Sequence, residues 1–577
     1  MSRGAEAAAQ GLVRLPVGRA RFVLAALLGA FALLAVRSVY LQALRTDFLQ
    51  EKGEARYSRV LEVSATRGRI LDRNGEALAV STPVKSIWAI PGDVELSASS
   101  RRRLAALLAM DIAELNRKLG EARDFVYLKR QIAPETAEAI EALGIKGIYQ
   151  QREFRRYYPG GEVTAHVVGF TGVDDAGQEG IELAHQGSLG GKPGSRRVIK
   201  DRLGRVVEDV ESIRGAQHGS DLTLSIDSKI QSLAFGALKA AVEHHRAKAG
   251  AIVVVDVRTG EILALANVPS YNPNNRARLS GAQLRNRAVT DIFEPGSTLK
   301  PFTVAVALET GKLAPASPVA TAPGQLTIAN YTIHDAHPAS VLTAAQVIQK
   351  SSNVGAARIA LGLPREAMWD LFRRVGFGTP PELSFPGAAS GKLRHYRGWR
   401  PIEQATMAYG HGISVSLLQL ARAYTVFARD GELVPLTLVK SGTVASGEKV
   451  LSMETARAMR AMLELAVQNG GTGPRARIMG WRVAGKTGTA HKQENGGYAA
   501  DKYLSSFVGL APVSAPRLVL AVMLDEPSGG QYYGGVVAAP VFANVMQGAL
   551  RMLGVPYDAP LEPLALPGEG EEAKEST

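Results

Sequence analysis

The chain has 577 residues, of which 46% are hydrophobic and 21% charged, so it is long enough for several domains and apolar enough to give each a core. It contains no cysteine, which excludes disulfides, thiolate catalysis and cysteine-ligated metal centres. The net charge is +13, but the basic residues are scattered and not interleaved with aromatic residues, so no nucleic-acid partner is expected. A basic surface that faces anionic lipid or an anionic polymer fits the charge better.

The first predicted element is a membrane anchor over residues 22–41. This segment is almost entirely apolar and, at about 20 residues, is long enough to cross a bilayer. No small-residue cleavage site follows it, which favours an uncleaved anchor over a signal peptide, and a buried core helix is the weaker alternative. Residues 1–21 carry four arginines and one glutamate, net +3, whereas residues 42–62 carry four basic and four acidic residues. The positive-inside rule therefore places the short tail in the cytoplasm and the rest of the chain outside it.

Residues 43–215 are predicted to form one irregular α+β domain, whose first part, residues 43–62, is expected to be a short stalk. Asn74-Gly75 lies between two apolar stretches and predicts a β-hairpin. In the same stretch, Arg67 and Asp72 are expected to form a structural ion pair rather than a catalytic site.

The remainder of this domain is predicted from its spacing and composition. Residues 98–122 and 133–143 have the apolar spacing of helices. The segment 152–205 is rich in glycine and charged residues, which favours turns and short strands.

Residues 219–555 are predicted to form an α/β domain. The alternation in "LTLSI" predicts a strand, a helix follows to about His245, and residues 249–267 predict a hairpin of two buried strands. Mostly helical patterns continue to about residue 430, and strands return with "WRVAGKTGTA" before a last helix over residues 539–553. Because strands lie at both ends of this segment, we expect one antiparallel sheet built from both ends and covered by helices.

The last segment, residues 556–577, holds six acidic residues, one lysine and four prolines, a net charge of −5. This composition favours disorder, because it offers little apolar surface to bury. We therefore expect a disordered acidic tail.

The stretch "FEPGSTLKP" carries the first chemical signal. Ser297 and Lys300 are three residues apart, and Pro301 indicates a helix start because proline is tolerated in the first turn. On a helix the two side chains share a face, and Ser297 lies at the positive end of the helix dipole. A serine hydroxyl becomes a good nucleophile when a base takes its proton, and a desolvated lysine can be that base. A second S-x-x-K pattern, Ser446 to Lys449, has no amphipathic helix after it and is interpreted as chance.

Two further motifs follow in an order that supports this pair. The S-x-N pattern of Ser351–Asn353 lies between two helical patterns, so we expect it at a helix-to-helix connection that faces a cleft. The K-T-G pattern of Lys486–Gly488 is expected to end a short strand, where the glycine allows close approach of an extended substrate. Similar patterns at Ser270–Asn272 and Lys440–Gly442 lie in poorer contexts. The ordered set is Ser297 and Lys300, Ser351 and Asn353, and Lys486, Thr487, Gly488 and Thr489.

Weaker candidates accompany these motifs. His491 is a candidate substrate contact, for which solvent exposure is an equal alternative, and the pair His334 and His337 is better interpreted as a loop than as a metal site. We expect no metal and no cofactor. Four tyrosines are candidates to line the same cleft, although packing is the commoner role of such residues: Tyr409, Tyr503, Tyr532 and Tyr533.

The three motifs together resemble those of penicillin-recognising serine acyltransferases. With "RGRILDRNG", "RRYYPGGEVTAHVVGF" and "GQEGIE" in its N-terminal part, the chain is similar to the class B penicillin-binding proteins over about residues 20–555. The resemblance implies an α/β fold of the penicillin-binding and serine β-lactamase-like type, an antiparallel sheet with helices. It also implies an α+β non-catalytic pedestal of the dimerisation type and one N-terminal transmembrane helix. The compact pedestal, the short tail and "SSNVG" favour the division-specific members over the elongation-specific ones.

The resemblance also implies a reaction. Ser297 attacks the carbonyl between the last two D-alanines of a peptidoglycan stem peptide, Lys300 takes its proton, and the acyl group passes to an amine of a neighbouring stem. β-Lactams acylate the same serine, and the backbone N–H groups of Ser297 and Thr489 form the oxyanion hole. The tyrosine positions contact substrate or β-lactam. The other implied roles are Ser351 as proton relay, Lys486 as second cation and carboxylate contact, Asn353 as ligand of the peptide amide, and Thr487 and Thr489 as ligands of the terminal carboxylate.

The same resemblance implies partners and a location. An FtsW-like glycosyltransferase pairs with the anchor and pedestal, alongside other division proteins, in the bacterial inner membrane at the septum, with the catalytic domain in the periplasm. The alternatives are a related carboxypeptidase, β-lactamase or elongation transpeptidase, and a non-catalytic division scaffold or β-lactam sensor on the same fold. The intact motifs argue against a scaffold, and the anchor and pedestal argue against a soluble β-lactamase.

Overall fold

The computed structural model describes residues 16–41, 58–121, 123, 125–200, 206–494 and 496–562. The predicted stalk before residue 58 and the part of the predicted acidic tail after residue 562 lie outside the described residues.

The described residues form helices and strands that are numbered here in chain order. The helices are α1 (Val17–Val39), α2 (Ala98–Leu107), α3 (Ile112–Leu119), α4 (Pro134–Glu141), α5 (Ala165–Val168), α6 (Gly180–Ala184), α7 (Gln186–Leu189), α8 (Ser228–His244), α9 (Gly281–Leu284), α10 (Arg287–Thr290), α11 (Lys300–Glu309), α12 (Ala344–Lys350), α13 (Asn353–Leu361), α14 (Arg365–Arg374), α15 (Pro401–Met407), α16 (Leu417–Ala428), α17 (Met453–Leu465), α18 (Gly534–Val537) and α19 (Ala539–Met552). The strands are β1 (Ser58–Val63), β2 (Ile70–Leu71), β3 (Ala77–Ala89), β4 (Val126–Ile132), β5 (Ile148–Tyr157), β6 (Gly194–Lys200), β7 (Val206–Arg214), β8 (Leu222–Thr223), β9 (Ala249–Asp256), β10 (Ile262–Val268), β11 (Ile292–Phe293), β12 (Pro318–Ala320), β13 (Gln325–Ile328), β14 (Tyr331–His334), β15 (Val341–Thr343), β16 (Val415–Ser416), β17 (Glu432–Leu433), β18 (Glu448–Lys449), β19 (Ala484–Glu494), β20 (Gly497–Ala511) and β21 (Leu518–Asp525).

Helix α1 is the one helix in the described part of the chain that is long and apolar enough to cross a membrane. It begins at Val17 rather than at residue 22, so Arg19 and Arg21 lie in its first turns. One helix of this length and composition suggests a single-pass membrane protein.

The N-terminal domain contains two sheets. Strands β1, β6 and β7 form one, so residues 58–62 of the predicted stalk belong to a strand that pairs with β6. The other has the order β4-β3-β2-β8, with β5 also paired to β3. The predicted hairpin at Asn74-Gly75 is confirmed, because β2 and β3 are antiparallel and Gly75 has φ +90°, a value that glycine adopts without strain.

Three predictions for this domain need correction. The predicted helix over residues 98–122 is two helices, because the chain turns at Ala109, which has φ +45°, before α3 begins. Short helices α5, α6 and α7 occupy a segment for which turns and strands were predicted. Strand β8 lies beyond residue 219 but pairs in parallel with β2, so the pedestal sheet extends past its predicted boundary.

The predicted ion pair between Arg67 and Asp72 is wrong. Arg67 Nε lies 2.6 Å from a carboxylate oxygen of Glu182, and Arg156 Nε lies 2.7 Å from the other, with all three side chains buried. The Asp72 carboxylate instead accepts backbone N–H groups, including that of Ser228 at 3.1 Å. Two arginines thus compensate one buried carboxylate, which would be costly to bury without a cationic partner.

The C-terminal domain is built on the predicted sheet. Its strand order is β10-β9-β21-β20-β19, all antiparallel, so strands from both ends of the segment meet in one sheet and the prediction is confirmed. Strand β9 is buried on both faces, as expected for a central strand. Its residues alternate between two apolar cores: Ala251, Val253 and Val255 face the core of α11 and α16, while Ile252 and Val254 face that of α8 and α19.

Two other expectations for this domain differ from the structure. The stretch predicted as mostly helical includes strands β12 to β15, which form two small antiparallel pairs. The start of the predicted disordered tail is docked on the domain: the Trp481 indole donates to the Pro556 carbonyl at 2.9 Å, and the Asp558 carboxylate accepts the backbone N–H groups of Arg482 and Ser514.

Candidate active site

The nucleophile candidate Ser297 lies in a short 3-10 turn, Gly296–Leu299, that leads directly into α11. Pro301 occupies the first turn of α11, as predicted. Gly296 has φ +56°, in the left-handed region that favours glycine. The glycine therefore permits the backbone of this turn, in which the Ser297 side chain is buried.

Lys300 connects two of the predicted motifs. Its Nζ lies 2.9 Å from Ser297 Oγ, so the 3-10 turn and the start of α11 bring the two side chains together, as the spacing predicts. The same Nζ lies 3.0 Å from Ser351 Oγ and 2.5 Å from the Ser351 carbonyl oxygen. The lysine is fully buried, so its amine is separated from solvent by the groups to which it bonds.

Ser351 sits at the predicted connection between two helices. It follows α12 and adopts the left-handed region with φ +59°, which is uncommon for a residue other than glycine. Ser352 then caps α13, because its hydroxyl accepts the Gly355 N–H at 2.8 Å. This backbone places Ser351 Oγ between two amines, 3.0 Å from Lys300 Nζ and 2.9 Å from Lys486 Nζ.

Lys486 is not at the end of a short strand, as predicted, but third in the eleven-residue edge strand β19. The strand is long because it pairs with β20 through ten residue pairs, a partner that local pattern does not reveal. A side chain at Gly488 would lie 2.9 Å from the Thr298 side chain and 2.4 Å from Ser506 Oγ, so the glycine lets β19 pack closely against other parts of the protein. The predicted close approach of an extended substrate stays a prediction.

The two threonines of β19 are buried and already hydrogen bonded. Thr487 Oγ1 lies 2.7 Å from Thr472 Oγ1 and 3.2 Å from Lys486 Nζ. Thr489 Oγ1 accepts the Gly534 N–H at 3.0 Å. Sequence analysis missed Thr472, although a lone threonine among the glycines of residues 470–473 was a usable signal for a close-packed polar contact.

Asn353 has an incompletely satisfied amide. The side chain is 5% exposed, and its Nδ2 reaches the His334 carbonyl only at 3.4 Å. Its Oδ1 is buried without a hydrogen-bond partner in the part of the chain that the structure describes. An unpaired buried acceptor is costly, so this oxygen is suited to receive an N–H from a bound molecule.

The structure brings three of the four candidate tyrosines together. The Tyr503 and Tyr532 rings stack with centroids 3.9 Å apart, and the Tyr532 and Tyr533 hydroxyls lie 3.2 Å apart. The His491 ring joins this group, 4.6 Å from that of Tyr503. Tyr409 lies apart from them, buried in a small apolar cluster with Ile333, Val354, Ala357 and Ala405.

The duplicate motifs make contacts elsewhere. In the duplicate S-x-x-K pattern, Ser446 is exposed and Lys449 donates to the Asp430 carbonyl. In the duplicate K-S-G pattern, Lys440 donates to the Arg73 carbonyl. In the duplicate S-x-N pattern, Ser270 donates to the Glu162 carbonyl. The structure therefore gathers the ordered set of three motifs and leaves each duplicate outside it.

Two titratable groups beside the site were not singled out by sequence analysis. Burial, together with the nearby charges of Lys300 and His491, lowers the pKa of His411 to about 4. Burial raises the pKa of the Glu294 carboxyl, against hydrogen bonds from Gly412 and Tyr498. Glu294 stands three residues before Ser297, and that spacing was the available signal.

Two family descriptions match the chain. Residues 250–547 match the penicillin binding protein transpeptidase domain, and residues 62–224 match the penicillin-binding protein dimerisation domain. The first match lies within the predicted catalytic domain and contains all three motifs. The second covers most of the predicted pedestal.

Similar proteins extend over nearly the whole chain. It is 44% identical over 554 residues to the probable peptidoglycan D,D-transpeptidase PenA of Neisseria gonorrhoeae, covering 95% of each protein. It is 42% identical over 537 residues to the peptidoglycan D,D-transpeptidase FtsI of Escherichia coli K12, covering 92% of this chain and 91% of that one.

Solved structures agree with these relationships. The transpeptidase domain of penicillin-binding protein 3 from Burkholderia pseudomallei is 49% identical, with a TM-score of 0.54, and covers 58% of this chain and 98% of its own. A peptidoglycan synthetase from Bifidobacterium adolescentis is 26% identical, with a TM-score of 0.69, and covers 88% of this chain and 98% of its own. The chain therefore belongs to the class B penicillin-binding proteins, with a transpeptidase domain and a dimerisation domain.

Proposed function

We propose that this chain is a serine-type peptidoglycan D,D-transpeptidase that cross-links stem peptides through an acyl-enzyme on Ser297. The observation that carries the proposal is the buried series of groups Ser297 Oγ, Lys300 Nζ, Ser351 Oγ and Lys486 Nζ, each 2.9 to 3.0 Å from the next. Such a series joins a nucleophile to a base and to a proton relay, which acyl transfer through serine requires.

Acylation begins when Ser297 Oγ attacks the carbonyl carbon between the two terminal D-alanines while its proton passes to Lys300 Nζ. Lysine is suited to this role when it is desolvated and lies near a second cation, here Lys486. The negative charge on the carbonyl oxygen is taken by the backbone N–H groups of Ser297 and Thr489. The C–N bond then breaks, the proton returns through Ser351 Oγ to the departing nitrogen, and D-alanine leaves with an ester on Ser297.

The second half of the reaction reverses the proton path. An amine of a neighbouring stem attacks the ester carbonyl, and its proton passes to Lys300. The ester C–O bond breaks, the proton returns to Ser297 Oγ, and an amide joins the two stems. No residue is consumed, so the enzyme returns to its starting state.

The donor peptide has complementary groups in the site. Asn353 Oδ1 lacks a partner among the described residues and receives an amide N–H of the donor. Lys486 and the hydroxyls of Thr487 and Thr489 bind the terminal carboxylate, with Thr472 orienting Thr487. The stacked Tyr503 and Tyr532, with Tyr533, form an aromatic wall for the donor.

The cellular setting follows from the anchor and from the similarity to FtsI. Helix α1 holds the protein in the bacterial inner membrane, with the catalytic domain in the periplasm at the division septum. An FtsW-like glycosyltransferase and other division proteins are its partners through the anchor and pedestal. β-Lactams acylate Ser297 because they present a reactive carbonyl in place of the D-Ala-D-Ala bond.

The proposal is tested by labelling the purified protein with a fluorescent penicillin and separating it on a denaturing gel. The wild type and Ser446→Ala are expected to be labelled equally, because Ser446 belongs to the duplicate motif. Ser297→Ala is expected to lose the label, since the ester cannot form. Label on Ser297→Ala, or an unlabelled wild type, would contradict the proposed nucleophile.

A further inference from the structure

We propose that Glu294 is a positioning residue that latches the free end of the β19–β20 hairpin to the turn that carries Ser297. The inference rests on the proposed function, because it concerns the alignment of Ser297 with the strand that binds the donor. Glu294 itself does not touch the reacting atoms. Its hydrogen bonds fix the position of the hairpin relative to the turn.

The latch consists of three hydrogen bonds to the carboxylate of Glu294, a residue that is only 6% exposed. Glu294 Oε1 accepts Gln493 Nε2 at 2.7 Å and the Gly412 N–H at 2.7 Å. Glu294 Oε2 accepts the Tyr498 hydroxyl at 2.9 Å. Gln493 and Tyr498 are directly opposite each other across the hairpin, so both donors come from one cross-strand pair.

The carboxylate has no cationic partner to explain its burial. In the described part of the chain, no lysine, arginine or histidine lies within ion-pair distance of Glu294, and its donors are all neutral groups. The neighbouring His411 ring packs between Tyr409 and Tyr498 and stays neutral at ordinary pH, because burial and the charges of Lys300 and His491 depress its pKa. Burying an unpaired carboxylate is costly unless its hydrogen bonds are well formed. We infer that these hydrogen bonds fix a particular arrangement of the three segments that they join.

The latch lies beyond an irregularity in the β19–β20 hairpin. The hairpin contains a register shift between His491 and Gln493, so the ladder that orders the motif strand is interrupted before its tip. On the near side of this shift, β19 packs directly on the nucleophile turn, where a side chain at Gly488 would lie 2.9 Å from the Thr298 side chain and 3.0 Å from the Pro295 carbonyl oxygen. On the far side of the shift, the hydrogen bonds from Gln493 and Tyr498 to Glu294 connect the hairpin to the segment that leads into the turn. The turn and the strand are thus held together at two places on either side of the bulge.

The expected consequence of opening the latch is slower acylation rather than loss of the fold. The hairpin tip would separate from the turn, and the strand segment with Thr489 would shift relative to Ser297. A small displacement of an oxyanion donor is expensive for the transition state, because the stabilisation depends on distance. Removing both hairpin donors should therefore lower the second-order acylation rate by roughly tenfold or more.

The test measures that rate with a fluorescent penicillin, and the thermal midpoint of unfolding, for a set of full-length variants. The variant Gln493→Leu/Tyr498→Phe removes both hairpin donors and leaves the motif residues and Glu294 intact. Glu294→Leu removes the acceptor, and the triple variant combines the changes. The matched control is Glu494→Gln, which breaks the exposed Lys502–Glu494 pair on the same hairpin without touching the turn.

The latch predicts that the double variant and Glu294→Leu lose similar amounts of rate and that the triple variant loses little more, because all three break one connection. Glu494→Gln keeps the wild-type rate. Glu294→Gln retains a rate within about threefold of the wild type, because its amide oxygen still accepts and its amide nitrogen can donate to the Tyr498 oxygen. A base or a purely electrostatic role for Glu294 would instead make the glutamine variant as slow as the leucine variant.

Two outcomes would overturn the inference while the proposed function stands. One is a labelled double variant that reacts at the wild-type rate, whether or not its thermal midpoint falls. The other is a triple variant whose loss of rate is the product of the separate losses. An unlabelled wild type would overturn the proposed function and this inference together.

Discussion

Ser351 is the residue on which the two amines of the site converge. Lys300 and Lys486 donate to one hydroxyl oxygen, at 3.0 and 2.9 Å, and the left-handed backbone of Ser351 turns that oxygen toward both. Strained backbone of this kind costs of order 1 kcal/mol and persists where the surrounding structure fixes it, often at functional sites. The strain and the shared hydroxyl together indicate a relay and not an ordinary helix end.

We therefore expect Ser351→Ala and Ser351→Gly to slow acylation by about 10² to 10⁴, the usual range for loss of a group that transfers protons. The two variants separate the loss of the hydroxyl from the effect of backbone strain, because glycine accepts φ +59° freely and alanine does not. Both lack the hydroxyl, so both should be slow when the rate of penicillin labelling is followed in time. A glycine variant with the wild-type rate would show that the backbone matters and the relay does not.

At the residue scale, sequence analysis found the three motifs but not their supporting contacts. Ser297, Lys300 and Ser351 were identifiable because spacing along one helix and motif order are local properties. Glu294 and Thr472 were missed because their partners lie in other segments of the chain. Gln493 is 199 positions from Glu294, and Thr487 is 15 positions from Thr472. The spacing of Glu294 from Ser297 places it near the site, but it does not show that the carboxylate is buried among neutral donors.

Between elements, the loop after α15 is packed against the nucleophile turn. Gly410 has φ +90°, and a side chain there would lie 2.2 Å from the Gly296 carbonyl oxygen and 2.5 Å from its nitrogen. Contacts this short with backbone cannot be relieved by a side-chain rotation. The geometry of the turn therefore depends on the absence of a side chain in a neighbouring loop.

We expect Gly410→Ala to lower both the thermal midpoint and the rate of acylation, because the added methyl group displaces the turn that holds Ser297. The matched control is Gly311→Ala, at the end of α11, which also has positive φ but no atom within 4 Å of the added carbon. That variant should show only the backbone cost of about 1–2 kcal/mol in unfolding experiments. Equal effects of the two substitutions on the acylation rate would contradict the contact with the turn.

At the element scale, the sheet of the catalytic domain was predictable and the details of the pedestal were not. Apolar runs at both ends of residues 219–555 required one sheet, because buried strands need partners. The Asn74-Gly75 turn was likewise specified by its own residues. In contrast, the partner of Arg67 is Glu182, which is 115 positions away along the chain. Asp72 was predicted instead because it is close in sequence, and the sequence alone does not show which distant carboxylate the fold brings to Arg67.

A polar junction around His166 is one of the contacts between the pedestal and the catalytic domain. His166 in α5 lies 2.8 Å from the Gln283 carbonyl through its Nε2, and its own carbonyl accepts Asn286 Nδ2 at 3.1 Å. The Tyr271 ring packs against the imidazole edge-on, and its hydroxyl donates to the Ala165 carbonyl. The segment that follows Asn286 continues through α10 to the nucleophile turn.

This junction should weaken in acid. Burial is the main cause that lowers the pKa of His166 to about 4, below the usual value near 6.5, with Arg287 adding repulsion. The unfolded chain therefore takes up a proton first as the pH falls. The neutral His166 imidazole makes its full contribution to the free energy of unfolding above about pH 6.5. That contribution is lost as the pH falls toward 4, by about 3 kcal/mol in total.

The measurement compares thermal or urea unfolding of the wild type and His166→Gln between pH 7 and pH 4. Glutamine can donate to the Gln283 carbonyl but does not titrate, so the variant should lose less stability over this range. Asp175, whose pKa is raised to about 6 mainly by burial, acts in the opposite direction and cancels in the comparison because both proteins contain it. Identical pH dependence of the two proteins would contradict the role of His166.

A transpeptidase of this kind is acylated on Ser297 by a donor ending in D-Ala-D-Ala and passes the acyl group to an amine. Both steps can be followed by mass spectrometry of the full-length protein, intact and after digestion, following reaction with an activated D-alanyl ester or thioester donor. We expect one added acyl group on the peptide that contains Ser297. An added amine acceptor should lower the amount of this adduct while the corresponding amide product forms. An adduct on another peptide, or an adduct that no amine removes, would show that Ser297 does not carry out this transfer.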